Sequence, residues 1–103
     1  MSVIFDIMKD EHARLLAVID LYKAAIVKEV AGSSQLKRIG NNFYLYLEKR
    51  VGSKVVFEYV DNMESDKAIR VQESIKKRKE YEALLKQSKA HLKDVKKVLR
   101  GKI

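Results

Sequence analysis

No proline occurs anywhere in this chain of 103 residues, and from Glu64 onward there is no glycine before Gly101. Proline removes a backbone N–H and clashes with the preceding turn, and glycine costs excess backbone entropy, so these two residues are the usual helix interrupters. A stretch of that length free of both is predicted to form one long helix, and the rest of the chain has to be arranged around that rod. The same stretch holds most of the charge. Glu64 to Ile103 carries thirteen Lys or Arg against six Asp or Glu, a balance of +7, whereas residues 1–63 contribute only +1 of the total +8.

On a wheel advancing about 100° per residue, the apolar residues from Tyr81 onward gather in one arc roughly 140° wide. They are Tyr81, Leu84, Leu85, Leu92, Val95, Val98 and Leu99, with Ser88 among them. Lys86, Lys89, Lys93, Lys96, Lys97 and Arg100 fall on a separate arc with Arg78 and Lys79, and Glu82 is the one acid in their midst. One stripe can be buried and the other must stay wet. From Lys86 to Arg100 the basic stripe runs about 21 Å, comparable to roughly six base-pair steps of a duplex. A face that only keeps a protein soluble is the competing reading, but such faces normally mix signs through Glu-to-Lys pairs four apart. From Ser88 to Ile103 there are six bases and one acid, Asp94. Charge so one-sided destabilises the free chain mildly unless an anion approaches, although bases near a helix C-terminus also suit its dipole.

The first helical pattern runs from Val3 to Val30, with Val3, Ile4, Ile7, Met8, Leu15, Val18, Ile19, Tyr22, Ile26 and Val30 at helical spacing. Ser2 is its expected cap and Asp6 lies in its first turns, where the dipole favours a negative charge. Ala31 to Ser34 stop it, with Gly32 as C-terminal cap and Ser34 as the next N-cap. Leu36, Ile39, Phe43, Tyr46, Leu47 and Val51 suggest a second helix, in which Gly40, Asn41 and Asn42 are a weak spot or a turn, and which Gly52 and Ser53 end. Lys54 to Met63 is rich in residues that strands favour, yet Val55, Val56, Tyr59, Val60 and Met63 also form a helical stripe. It is predicted to be helix, with a β-hairpin wing as the alternative.

The expected architecture is therefore all-α: a single domain over residues 1–103, an antiparallel bundle of three to four helices with a long basic C-terminal helix. Val71 and Ile75 fall out of phase with the apolar arc that begins at Tyr81. That predicts either a bend in the last helix or first turns that pack on a second copy.

Glu11 and His12 resemble the opening of a hemerythrin-like bundle, a family in which an early histidine begins a set of iron ligands spread over the helices. The likeness covers about twenty residues and implies a set of iron ligands. This chain departs from it at the ligands, because Asn42 to Phe57 contains no histidine and the only other one is His91. The Glu-x-x-His pairs of carboxylate di-metal bundles are also missing, so no metal or other cofactor is expected. The run from Gln35 to Leu47 is similar to a helix-turn-helix, with Gly40 at the turn and Ile39 and Tyr46 at apolar positions. It departs at Leu36, where a small residue is usual, and at Lys49, where an apolar one is usual. That likeness implies the alternative fold, a winged helix-turn-helix with a C-terminal helix, in which Asn41, Asn42, Tyr44 and Lys49 lie on or near the reading helix.

The aromatics Phe43, Tyr44, Tyr46, Phe57 and Tyr59 cluster in the middle of the chain and read mostly as core, with Tyr44 off the main stripe and exposed. The absence of cysteine removes disulfides, thiolate catalysis and Cys-ligated zinc. No apolar run approaches the roughly 18 residues of a membrane span, and the acids Asp6, Asp10 and Glu11 do not suit a signal peptide, so a cytoplasmic protein is expected. Four dispersed glycines make no phosphate-cradling loop, and no group of side chains converges on a reaction. The expected function is non-enzymatic nucleic-acid binding, to DNA or RNA, through phosphate contacts by Lys86, Lys89, Lys93, Lys96, Lys97 and Arg100. The rival is a helical interaction or assembly module, including a homodimer, without nucleic acid. A basic amphipathic helix lying on an anionic membrane surface is the third.

Overall fold

The computed structural model describes residues 3–101, which run α1 (Val3–Lys28), β1 (Ser33–Ile39), β2 (Asn42–Val51), β3 (Lys54–Asn62) and α2 (Asp66–Arg100). The two long helices stand where the sequence predicts them, with Asp6 in the first turn of α1; the cap expected at Ser2 lies outside the described residues. The middle of the chain differs. The helices expected over Leu36 to Val51 and Lys54 to Met63 are instead strands of an antiparallel sheet in the order β1-β2-β3. The fold is α+β and not an all-α bundle of three to four helices. The helix-turn-helix alternative fails with it, since Asn42, Tyr44 and Lys49 lie on β2 and Asn41 in the turn before it.

Two short sequences make the sheet. Ile39 pairs with Asn42 across Gly40-Asn41, and Val51 pairs with Lys54 across Gly52-Ser53. Gly40 has φ 64° and Gly52 φ 63°, while no non-glycine described has positive φ. Positive φ at the first central residue alone defines a type II′ turn, whose twist matches that of the flanking strands. Each glycine therefore reverses the chain within two residues. Between β2 and β3 the register shifts once: Tyr46 faces Tyr59 and Leu45 faces Asp61, so Val60 is an extra residue, and it is buried.

The chain divides into two compact units. One spans Val27–Lys79; the other joins the residues up to Ile26 with those from Glu80. In the first, Leu45, Leu47 and Val60 of the sheet pack on Ala68 and Ile75 of α2, with Val30, Met63 and Val71 around them. Ala68 is fully buried, and its small side chain lets the helix come close to the strands. Ser65 starts α2 by accepting the Ala68 N–H at its Oγ (3.1 Å), and Asn62 Oδ1 accepts the Glu64 N–H (3.0 Å) in the turn before it. One helical turn apart, Ser74 and Arg78 hold the segment that leaves α1. Ser74 Oγ accepts the Val30 N–H (2.8 Å) and donates to Glu29 Oε2 (2.7 Å), while Arg78 Nη1 donates to the Val30 carbonyl (2.9 Å). Val71 and Ile75 thus face the sheet. That accounts for their phase and removes it as a ground for expecting a second copy there.

In the other unit α1 and α2 form an antiparallel hairpin. Among the less exposed residues of α1, Phe5, Met8, His12, Leu15, Ile19, Tyr22 and Ile26 form one set, with Glu11, Val18 and Ala25 also partly buried beside it, and those of α2 in this unit are Tyr81, Leu85, Ser88, Leu92, Val95 and Leu99. Both sets alternate steps of three and four, the a/d spacing of a coiled coil. The Tyr22 and Tyr81 rings meet at 6.2 Å, and His91 acts electrostatically on Glu11, which fixes the antiparallel register. Among the described residues no helix is long and apolar enough to cross a membrane.

Gly32 is no helix cap. It enters β1 at φ 100°, and a Cβ there would stand 2.8 Å from the Glu48 carbonyl oxygen. The Gly32→Ala variant is expected to lose about 1–3 kcal/mol, from strain at positive φ together with that collision. Gly52→Ala, which has open space around it, should lose only the left-handed backbone cost of about 1–2 kcal/mol. Urea denaturation of the two variants side by side gives the ranking.

Candidate functional site

Every one of Lys86, Lys89, Lys93, Lys96, Lys97 and Arg100 is exposed on α2. With Tyr81, Ser88 and Val95 at d positions, Lys86, Lys93 and Arg100 occupy b, Lys89 and Lys96 occupy e, and Lys97 occupies f. The e positions of α1 are Lys9, Leu16 and Lys23. In an antiparallel pair the e positions of both helices border the same flank, so Lys9 and Lys23 share it with the α2 cations. Charge alternation along α1 alone does not reveal this. None of the six α2 cations enters either ion pair seen elsewhere, Arg14 with Glu11 or Lys49 with Glu58, and among the described residues no carboxylate lies within ion-pair distance of them.

The sheet supplies a second surface. Side chains alternate across a strand, and Leu45 and Leu47 point to α2, so Tyr44, Tyr46, Glu48 and Arg50 project from the other side. The register sets Gln35 and Lys37 of β1 and Val55, Phe57 and Tyr59 of β3 on that same outer face. Their contacts agree with the placement. Tyr46 meets Tyr59 edge-on at 5.3 Å and Tyr44 meets Tyr59 at 6.3 Å. Lys37 Nζ stands 4.6 Å from the centre of the Tyr46 ring and 5.5 Å from that of Phe57, and Gln35 donates to Glu48 Oε2 at 2.9 Å. Phe57 is 51% and Tyr59 50% exposed. Two rings, Tyr46 and Phe57, therefore flank the Lys37 ammonium, with Tyr44 and Tyr59 beside them on the outer face of the sheet, where Phe57 and Tyr59 are exposed and Tyr44 and Tyr46 partly buried.

The aromatics are not the core residues that helical spacing predicts. Tyr44 is partly buried, Phe43, Phe57 and Tyr59 are exposed, and the core is aliphatic. The signal that identifies the sheet is the pair of glycine-led turns twelve residues apart, each followed by a strand rich in aromatic or β-branched residues. On the sheet's other side Lys49 donates to Glu58 at 2.8 Å, which holds the Glu58 carboxyl below its ordinary range. A shallow depression lined by Gly32, Ser33, Glu48, Lys49, Arg50 and Val55 gathers no catalytic constellation. Among the described residues no group of three His, Cys, Asp or Glu is placed to hold a metal ion.

The crowding of rings also affects Tyr59. Partial desolvation, followed by the charges of Asp61, Tyr44 and Tyr46, raises its phenol above the ordinary tyrosine value. A raised value means that the folded state holds this proton more tightly than the unfolded one. Its contribution to stability is complete below the unfolded value near pH 10 and is lost as pH rises through the folded one. Alkaline titration followed at 295 nm should show a late-ionising tyrosine, and Tyr59→Phe should remove that component. In comparisons with known proteins, no family, curated protein or solved structure matches this chain.

Proposed function

We propose that this protein binds nucleic acid and performs no chemistry on it, the α2 cations taking phosphates and the outer face of the sheet taking bases. What carries the reading is a row of six cations on one flank of the hairpin with no carboxylate partner among the described residues. Such a row is self-repelling in the free protein, and a polyanion relieves that repulsion while releasing its own counterions. The sheet adds a reason to favour single strands. Base stacking on aromatic side chains needs unpaired bases, and an ammonium over the rings supplies a cation for the neighbouring phosphate. Tyr46, Phe57 and Tyr59 with Lys37 provide both.

Anisotropy titrations of a labelled single-stranded oligonucleotide over a potassium chloride series test this. If all six cations contact phosphates, log K should fall against log salt with a slope near about −4. The triple variant Lys89→Gln, Lys93→Gln, Lys96→Gln should make that slope shallower by about 2. Tyr46→Ala and Phe57→Ala should each weaken binding by about 1–3 kcal/mol and leave the slope unchanged. No binding at low ionic strength rejects the reading, and equal weakening for duplex and single strand rejects the role of the sheet.

A further inference from the structure

The hairpin carries a second stripe. Besides the residues of α1 that pack on α2, Ile4, Ile7, Glu11, Arg14, Val18 and Leu21 recur at steps of three and four along the adjacent c and g positions. Most of this stripe is open to solvent, with Ile4 64%, Ile7 56% and Leu21 68% exposed, while Glu11 and Val18 are partly buried. The g positions of α2 on the same flank are Leu84, His91 and Val98, with Leu84 40% and Val98 43% exposed. A solvated flank alternates apolar groups with polar ones. Here isoleucine, leucine and valine occupy both ends, and the charged groups are confined to the middle.

The order along the stripe reads the same in both directions. Laid antiparallel on a second α1, it sets Ile4 against Leu21, Ile7 against Val18 and Glu11 against Arg14, and then repeats those layers in reverse. Every layer pairs an a-like with a d-like position, as antiparallel coiled coils require. Within one chain Glu11 already accepts the Arg14 Nε–H at 2.9 Å. That hydrogen bond, followed by the charges of Arg14 and His91, holds the Glu11 carboxyl below its ordinary range. Bringing up a second copy closes Glu11, Arg14 and their symmetry mates into a ring of four alternating charges, with apolar layers on each side. A stripe that is complementary to itself in both shape and charge is what an isologous two-fold interface needs.

We propose that the protein forms a homodimer through this stripe, α1 lying antiparallel on α1 of a second copy with the Glu11 and Arg14 layers fixing the register. The occupant is a second copy because the charge order matches its own reverse. The proposal goes beyond the nucleic-acid reading and does not depend on it.

Charge reversal in two separate chains tests it. Glu11→Arg leaves only cations in the central layers and Arg14→Glu leaves only anions, so neither variant should pair with itself. Mixed in equal amounts they should pair with each other, although neither contains the Glu11 to Arg14 bond within its own chain. Sedimentation velocity without nucleic acid should find wild-type protein at about twice 11.9 kDa. Each variant alone should dissociate at least tenfold more readily, and the mixture should return to the wild-type mass. Circular dichroism of each variant checks that both helices remain, so that dissociation is not unfolding. A wild-type monomer at 100 µM overturns the proposal, as do folded variants that fail to dissociate alone or fail to associate on mixing.

Discussion

A small antiparallel sheet is stable in water only when an apolar face is packed, and in this one α2 packs on one face. Leu45 and Leu47 on the middle strand meet Ala68 and Ile75 of α2, and burying each large aliphatic side chain contributes about 2 kcal/mol. The arrangement of the rest of that unit follows from this contact. With α2 on one side, every alternate residue of the three strands is left on the other, and there the sequence places tyrosines, a phenylalanine and a lysine. Ser74 and Arg78 on α2 then tie down Glu29 and Val30, so the helix that covers the sheet also anchors the segment leading into it. The same α2 continues as one arm of the hairpin, with Tyr81, Leu85, Leu92, Val95 and Leu99 taking over from Ala68, Val71 and Ile75 as its less exposed residues.

Both long helices were legible in the sequence because their interruption-free length and their three-and-four spacing have no other explanation. The sheet was not, for a reason visible in β2. A strand with one wet face shows itself by alternation, but Phe43 to Leu47 is apolar or aromatic at every position, because the outer face carries tyrosines where a soluble sheet would carry charge. With alternation erased, Leu36, Ile39, Phe43, Tyr46, Leu47 and Val51 fit a helix by coincidence. Gly40-Asn41 and Gly52-Ser53 were the surviving signals, and their force comes from the positive φ that only the first residue of each pair adopts.

The site was legible to a similar, partial degree. Charge announces its own exposure, so Lys86 through Arg100 could be set on a wet flank from the sequence, and all six are exposed. An aromatic ring announces nothing of the kind. Whether Tyr46 and Phe57 are core or surface depends on which face of the sheet α2 covers, and that is settled by Ala68, Val71 and Ile75 farther along the chain. Lys9 and Lys23 were missed for a related reason, since they join the α2 cations only once the antiparallel register of the hairpin is known.

That register also makes the two proposed uses of the hairpin compatible. The stripe from Ile4 to Leu21 and the g positions of α2 border one flank, while Lys89, Lys96, Lys9 and Lys23 border the opposite one. A second copy seated on the apolar flank covers none of these cations. It leaves two flanks rich in bases facing away from each other on the outside of the pair, with Glu82 among the cations of each. Two weak electrostatic contacts joined in one particle bind a long polyanion more tightly than either alone, because the second contact forms at the effective concentration set by the first. Self-pairing would thus strengthen phosphate binding without changing the contacts that each copy makes.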